Sequence, residues 1–548
     1  MSVPFKVVLC NPTTERQSDF YPDGSPWLRE HLGLGYLASY LEAHSTATVA
    51  IIDSFVENLT VTQVAQRIVE FAPDVLGLSI RFHHAEAALG ELFAQLRQRG
   101  FAGHVVVGGN HATFTAAALL GSRPEIDSVV LGEGEGPLLA LAEALREGRS
   151  WDQIDGLAFR EGDRVVQRPA RPIEGLDELP FPRRDTLALV LGRGGMPAVS
   201  TSRGCWGRCS FCAVRPFYGK RWRARSADSI VSEMAYLHRQ HGASRLFLLD
   251  DCFVGPGKKG REQLNAFITA LRARELPVTF TLQLRAQDVE VRTLRAMHEI
   301  GLRVVYIGLE SAYQPTLDFF HKDVSVEVNL RAVRALHEAR VAGVYSFIFF
   351  HPRSTLEEFD ANLAFMREMK DINLFWTAAR LVCTPGTDFA ASLSEVPVST
   401  WVDGFSYFDI LDPQTARFAD TVGRCIVPSA QAWWLLDDCK VRVHMASHSR
   451  AEDLDRFMRM NTEVSVEAVE HLTRVLQDFR RGDSPDQIVN RYLSPFQDLG
   501  ERVKAAIAML SPTHLDTTTF RFQRLSHWDV ALEGDAPSAA TEPPAPRR

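Results

Sequence analysis

The chain of 548 residues has few cysteines, no long apolar run and no excess of positive charge. No apolar stretch reaches the roughly 20 residues that a membrane-spanning helix needs, so we expect no membrane partner. The formal net charge of −8 provides no overall basic character of the kind that binds nucleic acid, so we expect no nucleic-acid partner. The first residues run directly into an apolar segment, without the charged-then-apolar layout of a signal peptide, which predicts a cytoplasmic chain.

Only eight cysteines are present, and five of them are scattered in the way typical of a reduced intracellular chain. The other three, Cys205, Cys209 and Cys212, have C-x3-C-x2-C spacing. Three thiolates on one tight loop can hold three irons of a [4Fe–4S] cluster and leave the fourth iron open to a ligand. A zinc site usually takes four ligands, often as two C-x2-C pairs, and no second pair exists. The spacing therefore predicts an iron–sulfur cluster with one open iron.

Residues 1 to about 145 alternate short apolar runs with helical patterns. The runs, at 7–10, 49–52, 75–79, 105–107 and 128–131, are continuously apolar, as in parallel strands buried on both faces. This alternation predicts an α/β unit with a doubly wound (Rossmann- or flavodoxin-like) parallel sheet, in which ligands bind beyond the carboxyl ends of the strands. The residues at those ends include Ser79, Arg81, Gly108, Gly109, His111, Gly132, Glu133 and Gly134.

A second βα series follows the cysteines. Strands are expected at 198–201, 245–249, 278–284, 304–308, 344–350 and 377–382, and Ser354 with Glu357 is a capping-box pattern before a helix. Six βα units predict a partial (β/α)6 barrel with its chemistry at the carboxyl ends of the strands. We therefore expect five regions: 1–145, a connector with a small hairpin at 146–195, the barrel at 196–395, a mostly helical capping region at 396–530 and a disordered tail at 531–548.

The cysteine loop and its barrel resemble the radical SAM superfamily, and the preceding α/β unit resembles the cobalamin-binding domain of its B12-dependent class. The matching segments are Leu34-Gly35-Tyr36-Leu37-Ala38, Gly108-Gly109-Asn110-His111-Ala112-Thr113, Val130-Leu131-Gly132-Glu133-Gly134-Glu135 and Leu179-Pro180-Phe181-Pro182. The resemblance implies a [4Fe–4S] cluster, S-adenosylmethionine (SAM) and cobalamin as cofactors. It also implies that Gly108 and Gly109 bring backbone against the macrocycle, and that Ser79 could hydrogen-bond the tail or the amides of cobalamin.

Two features bear on the face of cobalamin below cobalt. The Asp-x-His-x-x-Gly motif, whose histidine binds cobalt in many B12 proteins, is missing after the first strand, where Asn11-Pro12-Thr13-Thr14-Glu15 stands instead. The resemblance therefore implies cobalamin bound without that histidine. His83 and His84 follow the third strand and are conceivable neighbours of this face, although a solvated loop explains both as well.

In the barrel, the resemblance assigns side chains to SAM. It places Phe211 near the adenine, Asp250 and Asp251 near the amino group, and Arg285 on the carboxylate, where a guanidinium makes two hydrogen bonds. Glu310 and Ser311, at the end of the fourth strand, would contact the ribose hydroxyls or the methionyl end.

Two further segments are open to more than one interpretation. Phe350-His351-Pro352-Arg353-Ser354-Thr355 stands where the family usually has Gly-x-Pro-Gly-Glu-Thr, so that His351 or Arg353 faces the substrate or the loop simply varies. Residues 218–225 hold four basic side chains, which could bind a substrate phosphate or carboxylate or an acidic electron donor of the reduced flavodoxin or ferredoxin type, or form a solvated face.

The resemblance favours radical methylation of an unactivated carbon in a small-molecule or natural-product substrate. In that mechanism a 5′-deoxyadenosyl radical removes hydrogen and methylcobalamin supplies the methyl group. Radical oxidation, cyclisation or ring rearrangement with the same cofactors stays open. Methylthiolation would call for extra N-terminal cysteines, and only Cys10 is there. A non-catalytic cobalamin sensor would have no need of an open iron.

Overall fold

The computed structural model describes residues 4–12, 25, 27–81, 84–371, 373–400, 406–446 and 451–510. The tail expected at 531–548 and His83 lie outside these residues. Within the described part of the chain, no helix combines the length and apolar character needed to cross a membrane.

The N-terminal region is built on one sheet of seven strands in the order β2-β1-β3-β4-β5-β6-β7. The strands are β1 (Lys6–Asn11), β2 (Thr48–Asp53), β3 (Val75–Ser79), β4 (His104–Gly108), β5 (Ser128–Val130), β6 (Leu157–Glu161) and β7 (Arg164–Gln167). Strands β1 to β5 are parallel, and β6 and β7 form an antiparallel hairpin that extends the same sheet. The predicted doubly wound parallel sheet is confirmed, and the hairpin expected in the connector is its continuation.

Helices cover both faces of this sheet. They are α1 (Leu32–His44), α2 (Ser54–Glu57), α3 (Val61–Phe71), α4 (His84–Gln98), α5 (Asn110–Ser122) and α6 (Glu135–Arg146). Two separate apolar clusters, one on each side of the strands, result from this arrangement. Because both faces are covered, polar ligands can reach the sheet only at the edges where its strands end.

The barrel region contains a five-stranded parallel sheet in the order β14-β13-β12-β11-β8 and a two-stranded ribbon of β9 and β10. The strands are β8 (Ala198–Val199), β9 (Ser202–Arg203), β10 (Arg223–Ala224), β11 (Arg245–Leu248), β12 (Thr279–Leu284), β13 (Leu302–Glu310) and β14 (Ala342–Phe347). The helices are α7 (Leu187–Gly192), α8 (Val214–Tyr218), α9 (Ala227–His241), α10 (Gly257–Arg274), α11 (Val291–Glu299), α12 (Gln314–Phe319), α13 (Val326–Ala339) and α14 (Leu356–Met369).

The predicted sixth barrel strand, at 377–382, is wrong in its extent. Leu374–Thr377 forms a short helix, α15, and only a single parallel bridge joins Phe350 to Arg380. Leu374 and Thr377 are both fully buried, so packing of this turn overrides the strand pattern. The predicted capping box is also wrong, because Thr355 caps α14 by accepting a hydrogen bond from the Glu358 N–H.

The C-terminal region is mostly helical, as predicted. It contains α16 (Asp388–Ser392), the hairpin of β15 (Val398–Thr400) and β16 (Ser406–Phe408), and the helices α17 (Pro413–Ile426), α18 (Ala430–Met445), α19 (Ala451–Arg480) and α20 (Pro485–Ala508). Helix α18 closes the barrel. Its Val441 and Met445 pack on the inner side of the sheet, and Trp433 is fully buried on another face.

Residues 27–31 join the two regions; we call them the bridging segment. Just before this segment, the Ser25 hydroxyl donates to Asp438 of α18 at 3.0 Å, and at its start the Trp27 ring lies 5.2 Å from the Tyr306 ring of β13. At the other end, His31 caps α1 in the first sheet. The segment therefore contacts the inside of the barrel and the carboxyl edge of the N-terminal sheet within five residues.

Candidate active site

The three cysteines lie on the loop between β9 and α8. Gly204, just before them, has φ +85°, and a Cβ at this position would lie 2.1 Å from the Arg221 carbonyl oxygen. The turn into the loop therefore needs glycine. Cys205, Cys209 and Cys212 are each partly exposed, so their thiols are accessible to a ligand above the barrel.

The surroundings give the three thiols different acidities. A hydrogen bond from the Cys252 thiol, aided by the Gly207 N–H at 3.3 Å, lowers the pKa of Cys205 to about 6. Burial raises the pKa of Cys209 and raises that of Cys212 to about 12. Metal binding requires thiolates. A cluster at this loop would therefore have to offset the burial that favours the protonated thiols of Cys209 and Cys212.

Among the described residues, no three His, Cys, Asp or Glu side chains converge on a single point as ligands of one metal ion do. A [4Fe–4S] cluster makes no such demand, because each of its cysteines binds a different iron. Positive charge is available to offset the thiolates, since Lys322 and Arg285 both act to lower the pKa of Cys209. The donor set fits a cluster of this kind better than a mononuclear site.

Arg285 is packed against the cysteine loop. Its guanidinium carbon lies 3.9 Å from the centre of the Trp206 ring, and Nη2 donates to the Lys322 carbonyl oxygen at 3.1 Å. Its Nη1 is buried and has no hydrogen-bond partner among the described residues. A Cβ on Gly207 would come within 2.9 Å of this atom, so the loop leaves it room. A carboxylate placed there would satisfy the unpaired donor.

The two aspartates predicted for SAM have different surroundings. Asp250 is buried and accepts hydrogen bonds from the Thr201 N–H at 2.8 Å, the Ser202 N–H at 2.7 Å and the Thr201 hydroxyl at 2.6 Å. It therefore holds the entry to β9 and is not turned toward a ligand. Asp251 keeps part of its surface exposed. The burial of the rest, together with the nearby charges of Asp250 and Cys205, raises its pKa to about 7. Of the pair, Asp251 is the side chain placed beside the cysteine loop.

The end of β13 carries the other predicted SAM residues. Glu310 has φ +67° and accepts from Lys322 Nζ at 2.8 Å and from the Ser346 hydroxyl at 3.1 Å. Ser311 is fully buried and donates to Glu358 at 3.0 Å, so its hydroxyl supports the strand end from behind. Of the two predicted residues, Glu310 lies beside the cysteine loop, whereas the Ser311 side chain is turned away from it.

Aromatic and imidazole groups pack behind this strand end. The predicted adenine neighbour, Phe211, lies with its ring 5.2 Å from Phe320. His351 is buried and bonds Glu358 at 2.9 Å, and Arg353 lies over the Phe319 ring at 4.4 Å. His351 therefore supports the fold, and its interpretation as a substrate-facing residue is wrong.

The carboxyl edge of the N-terminal sheet forms a second site. Ser79 Oγ lies 2.8 Å from His31 Nε2, and Asp53, buried beside them, accepts from the Asn11 side chain at 2.8 Å and the His31 N–H at 3.0 Å. Burial holds the pKa of His31 well below its usual range, so the ring is neutral. A neutral imidazole with both ring nitrogens hydrogen-bonded, beside a hydroxyl, makes this edge of the sheet polar but uncharged.

The predicted glycines surround this edge. Gly109 has φ +100°, and a Cβ would lie 2.8 Å from the Ile80 carbonyl oxygen, while Gly132 has φ +70°. These backbone constraints keep the strand ends free of side chains, as a flat macrocycle would need. Of the remaining residues predicted for cobalamin, Gly108 ends β4, Gly134 precedes α6, Arg81 is exposed, and His111 is buried with Glu86 3.2 Å away.

Glu133 was predicted to bind the cofactor, but the structure shows it in ion pairs. Arg203 Nη1 donates to Glu133 at 3.0 Å and Nη2 donates to Glu135 at 2.5 Å, and Arg223 also pairs with Glu133. All four side chains are nearly buried. This cluster, which we call the junction network, joins the end of β5 to the strand that leads into the cysteine loop.

Three of the four basic side chains at 218–225 form ion pairs within the fold. Arg223 belongs to the junction network, and Arg225 is buried against Glu233. Arg221 makes an exposed pair with Glu174, and Lys220 is exposed. Because its two inner arginines are neutralised, the stretch is not the four-charge binding patch that its sequence suggests.

Three important side chains were missed by sequence reasoning. Cys252 follows the aspartate pair but looked like one of the scattered cysteines. Lys322 lies in a helix-terminal turn with no motif around it. His31 immediately precedes α1, and this N-cap position was the available signal.

Comparison with known proteins follows the same division of the chain. The family described as the B12 binding domain matches residues 30–142, and the Radical SAM superfamily matches residues 199–366. An uncharacterized methyltransferase of Pyrococcus horikoshii is 34% identical over 347 residues, which cover 62% of this chain and 73% of that protein. The anaerobic magnesium-protoporphyrin IX monomethyl ester cyclase of Rubrivivax gelatinosus is 29% identical over 350 residues, covering 61% of both chains.

The fold also resembles a solved structure. The cobalamin-dependent SAM radical enzyme OxsB with aqua-cobalamin bound superposes with a TM-score of 0.74 at 17% identity, covering 97% of this chain and 84% of that one. The similarity therefore extends through the C-terminal helices as well as the two cofactor regions. The expected cofactors, a [4Fe–4S] cluster, SAM and cobalamin, are those of the matching families. The chain belongs to the cobalamin-dependent radical SAM enzymes, in the class that carries an N-terminal B12-binding domain.

Proposed function

We propose that the protein is a C-methyltransferase that adds a methyl group to an unactivated carbon of a small-molecule substrate. The junction network is the observation that carries the proposal. Through Arg203, the end of β5 at the cobalamin edge is bonded directly to the strand that enters the cysteine loop. Two cofactor regions held together in this way suit one reaction that uses both in turn.

On the barrel side, we assign Cys205, Cys209 and Cys212 to the cluster. The unpaired Nη1 of Arg285 suits the SAM carboxylate, and Asp251 suits the SAM amino group. Glu310 holds Lys322 beside the thiols, where its charge stabilises the thiolates.

On the cobalamin side, we assign the edge formed by Ser79, Gly108, Gly109 and Gly132, with Arg81 exposed next to it. His31 orients the Ser79 hydroxyl as a side-chain donor at this edge. When bound, the cluster and cobalamin supply electron transfer and methyl transfer, which no side chain can provide.

A second candidate function is radical oxidation or cyclisation without methyl transfer. The 29% identity with a protein named as a cyclase, over 61% of this chain, favours it. The named methyltransferase is the more similar of the two relatives, and it is matched over a larger share of its length.

The test is anaerobic incubation of the reconstituted protein with SAM, hydroxocobalamin and a strong reductant. We expect S-adenosylhomocysteine, the product of methyl donation, together with 5′-deoxyadenosine, the product of reductive cleavage. Formation of 5′-deoxyadenosine without S-adenosylhomocysteine would contradict methyl transfer and favour the second candidate. A reduced flavodoxin- or ferredoxin-type protein is the electron donor that we propose, and it can replace the chemical reductant in a parallel assay.

A cysteine pair provides the matched control. Cys209→Ala should abolish 5′-deoxyadenosine formation and lower bound iron while cobalamin binding persists. Cys383→Ala removes another partly exposed thiol, which lies outside the loop, and should leave iron content unchanged. Equal iron loss in both variants would argue against the assignment of the cluster to this loop.

A further inference from the structure

The inner side of the barrel is closed at the level where Phe247, Thr281 and Val304 lie in register. Phe247, Thr281 and Val304 point inward at this depth and are buried. Val441 and Met445 of α18 cover them. The barrel therefore has an apolar floor supplied by its own C-terminal helix.

Above this floor the inner side is open. Leu249 lies two residues beyond Phe247 and is 41% exposed, although a leucine inside a packed barrel would be buried. Gln283 is exposed, whereas Thr281, two residues before it, is buried. Gln283 pairs in register with Tyr306, which places the two at one level of the sheet. We call the space at this level the lumen.

An unbroken series of aromatic rings borders the lumen. The ring of Phe247 lies 5.4 Å from Tyr306, which lies 5.2 Å from Trp27, and Trp27 lies 6.5 Å from Trp434. Phe375 continues the series at 5.8 Å from Trp434. These five rings, the aromatic wall, come from the barrel, the bridging segment and the C-terminal region, and four of them are only partly buried.

The aromatic wall contains a buried polar group. The Tyr306 hydroxyl is buried and makes no hydrogen bond among the described residues. Burial raises the pKa of Tyr306, so the group keeps its proton and can donate it. A buried donor left unpaired is costly, and a ligand with an acceptor at this point would remove the cost.

The lumen lies within reach of both cofactor positions. Gln283, level with Tyr306, precedes Arg285 by two residues on the same strand face, a distance of about 7 Å. Trp27 and His31 are four residues apart, so the aromatic wall is at most about 14 Å from the edge that carries Ser79. A substrate in the lumen therefore lies between the two groups that would act on it.

We propose that the lumen is the substrate site and that it takes a planar aromatic or heteroaromatic ring bearing a hydrogen-bond acceptor. Partly exposed rings offer offset and edge-to-face contacts that a planar ring uses better than a saturated one. The Tyr306 hydroxyl supplies the orienting hydrogen bond. That the bound ring is the substrate rests on the proposed function, but its binding in the lumen can be measured without turnover.

The test is calorimetric titration of the full chain, loaded with cluster and cobalamin, with 2-naphthol and with decahydro-2-naphthol. The two probes share a skeleton and a hydroxyl and differ in planarity. We expect 2-naphthol to bind roughly fivefold or more tightly than its saturated counterpart. Tyr306→Phe should weaken 2-naphthol binding by about three- to tenfold. Trp434→Leu should also weaken it, because it removes a ring of the aromatic wall.

Tyr345→Phe is the matched control. Tyr345 lies on the neighbouring strand, and its buried hydroxyl is also unpartnered among the described residues, but it points to the outer side of the sheet. This variant should leave 2-naphthol binding unchanged. Iron and cobalamin content would show that each variant is folded.

Three results would overturn the proposal: no saturable heat from 2-naphthol, equal affinity for both probes, or equal effects of Tyr306→Phe and Tyr345→Phe. These titrations contain neither SAM nor reductant. A failure to form S-adenosylhomocysteine would therefore contradict the proposed methyl transfer and leave the binding result intact. Conversely, methyl transfer to a non-planar substrate would contradict the proposed substrate class and leave the proposed methyl transfer intact.

Discussion

The His31 side chain donates a hydrogen bond to the Ser79 hydroxyl, with Nε2 2.8 Å from Oγ. The direction follows from the other ring nitrogen, because Nδ1 accepts from the Leu34 N–H at 3.2 Å and so carries no proton in the neutral ring. The Ser79 hydrogen is thereby left for an acceptor beyond the sheet edge. His31 is a positioning residue for that donor.

We expect His31→Asn to weaken cobalamin binding by about three- to tenfold, since asparagine preserves the N-cap of α1 but leaves Ser79 free to rotate. Equilibrium dialysis with hydroxocobalamin measures the effect. His104→Asn is the control, because His104 Nε2 also lies 2.8 Å from a serine, Ser128, but at the start of its strand on the opposite edge. Equal losses in the two variants would show a general effect of the sheet instead of a role for Ser79.

Removing the central cation of the junction network should destabilise the protein strongly. Arg203→Gln leaves Glu133 and Glu135 buried with reduced compensation, which costs about 3–5 kcal/mol of unfolding free energy. Urea denaturation measures this loss. Arg208→Gln removes an arginine five residues away whose partner, Asp323, is also exposed, and it should change stability little. Similar effects of both substitutions would contradict the importance of burial at the network.

The cysteine loop depends on the absence of a side chain at Gly204. We expect Gly204→Ala to lower bound iron after reconstitution, because its Cβ would clash with the Arg221 carbonyl oxygen. Gly219→Ala is matched in backbone, with φ +76°, but its Cβ would meet only Pro172 at 3.8 Å. Iron analysis should show a loss at the first position and retention at the second. Equal retention would mean that the loop shifts to accept the methyl group.

His444 should make the protein less stable as the pH falls. Burial lowers its pKa from 6.5 to about 4, so between these values the unfolded chain binds a proton that the folded chain does not. Acidification from pH 7 toward pH 4 therefore removes up to about 3 kcal/mol of stability through this group.

The corresponding measurement compares wild type with His444→Gln across that range. We expect the unfolding free energy of the variant to rise relative to that of the wild type as the pH falls. His44→Gln changes an exposed histidine and should follow the wild-type profile. A constant difference between His444→Gln and wild type would exclude the buried imidazole as the source.

Sequence reasoning succeeded where local pattern determines structure. The five parallel strands of the first sheet were found because burial on both faces leaves continuous apolar runs. Helix α3 (Val61–Phe71) lies between the second and third of those runs, and Thr60 and Gln63 form a capping box at its start. The cysteine spacing needed no tertiary information, since all three residues lie on one loop.

It failed where partners lie far along the chain. Glu133 pairs with Arg203 and Arg223, which are 70 and 90 residues away, so nothing near Glu133 showed that its charge was already neutralised. The helix at Leu374–Thr377 replaced a predicted strand because its buried packing is decided by distant elements. The aromatic wall was equally hidden, because its five rings come from five separate parts of the sequence.

The hydrogen bond from Ser25 to Asp438 spans 413 positions. During synthesis, the bridging segment leaves the ribosome long before its partner helix α18 exists. One wall of the barrel interior can therefore be completed only after residue 445 has been made, however early the first sheet forms. Such long-range closure slows folding. A truncated protein that ends before α18 would lose the lumen floor and the anchor of Trp27 together, although both cofactor motifs would be complete in its sequence.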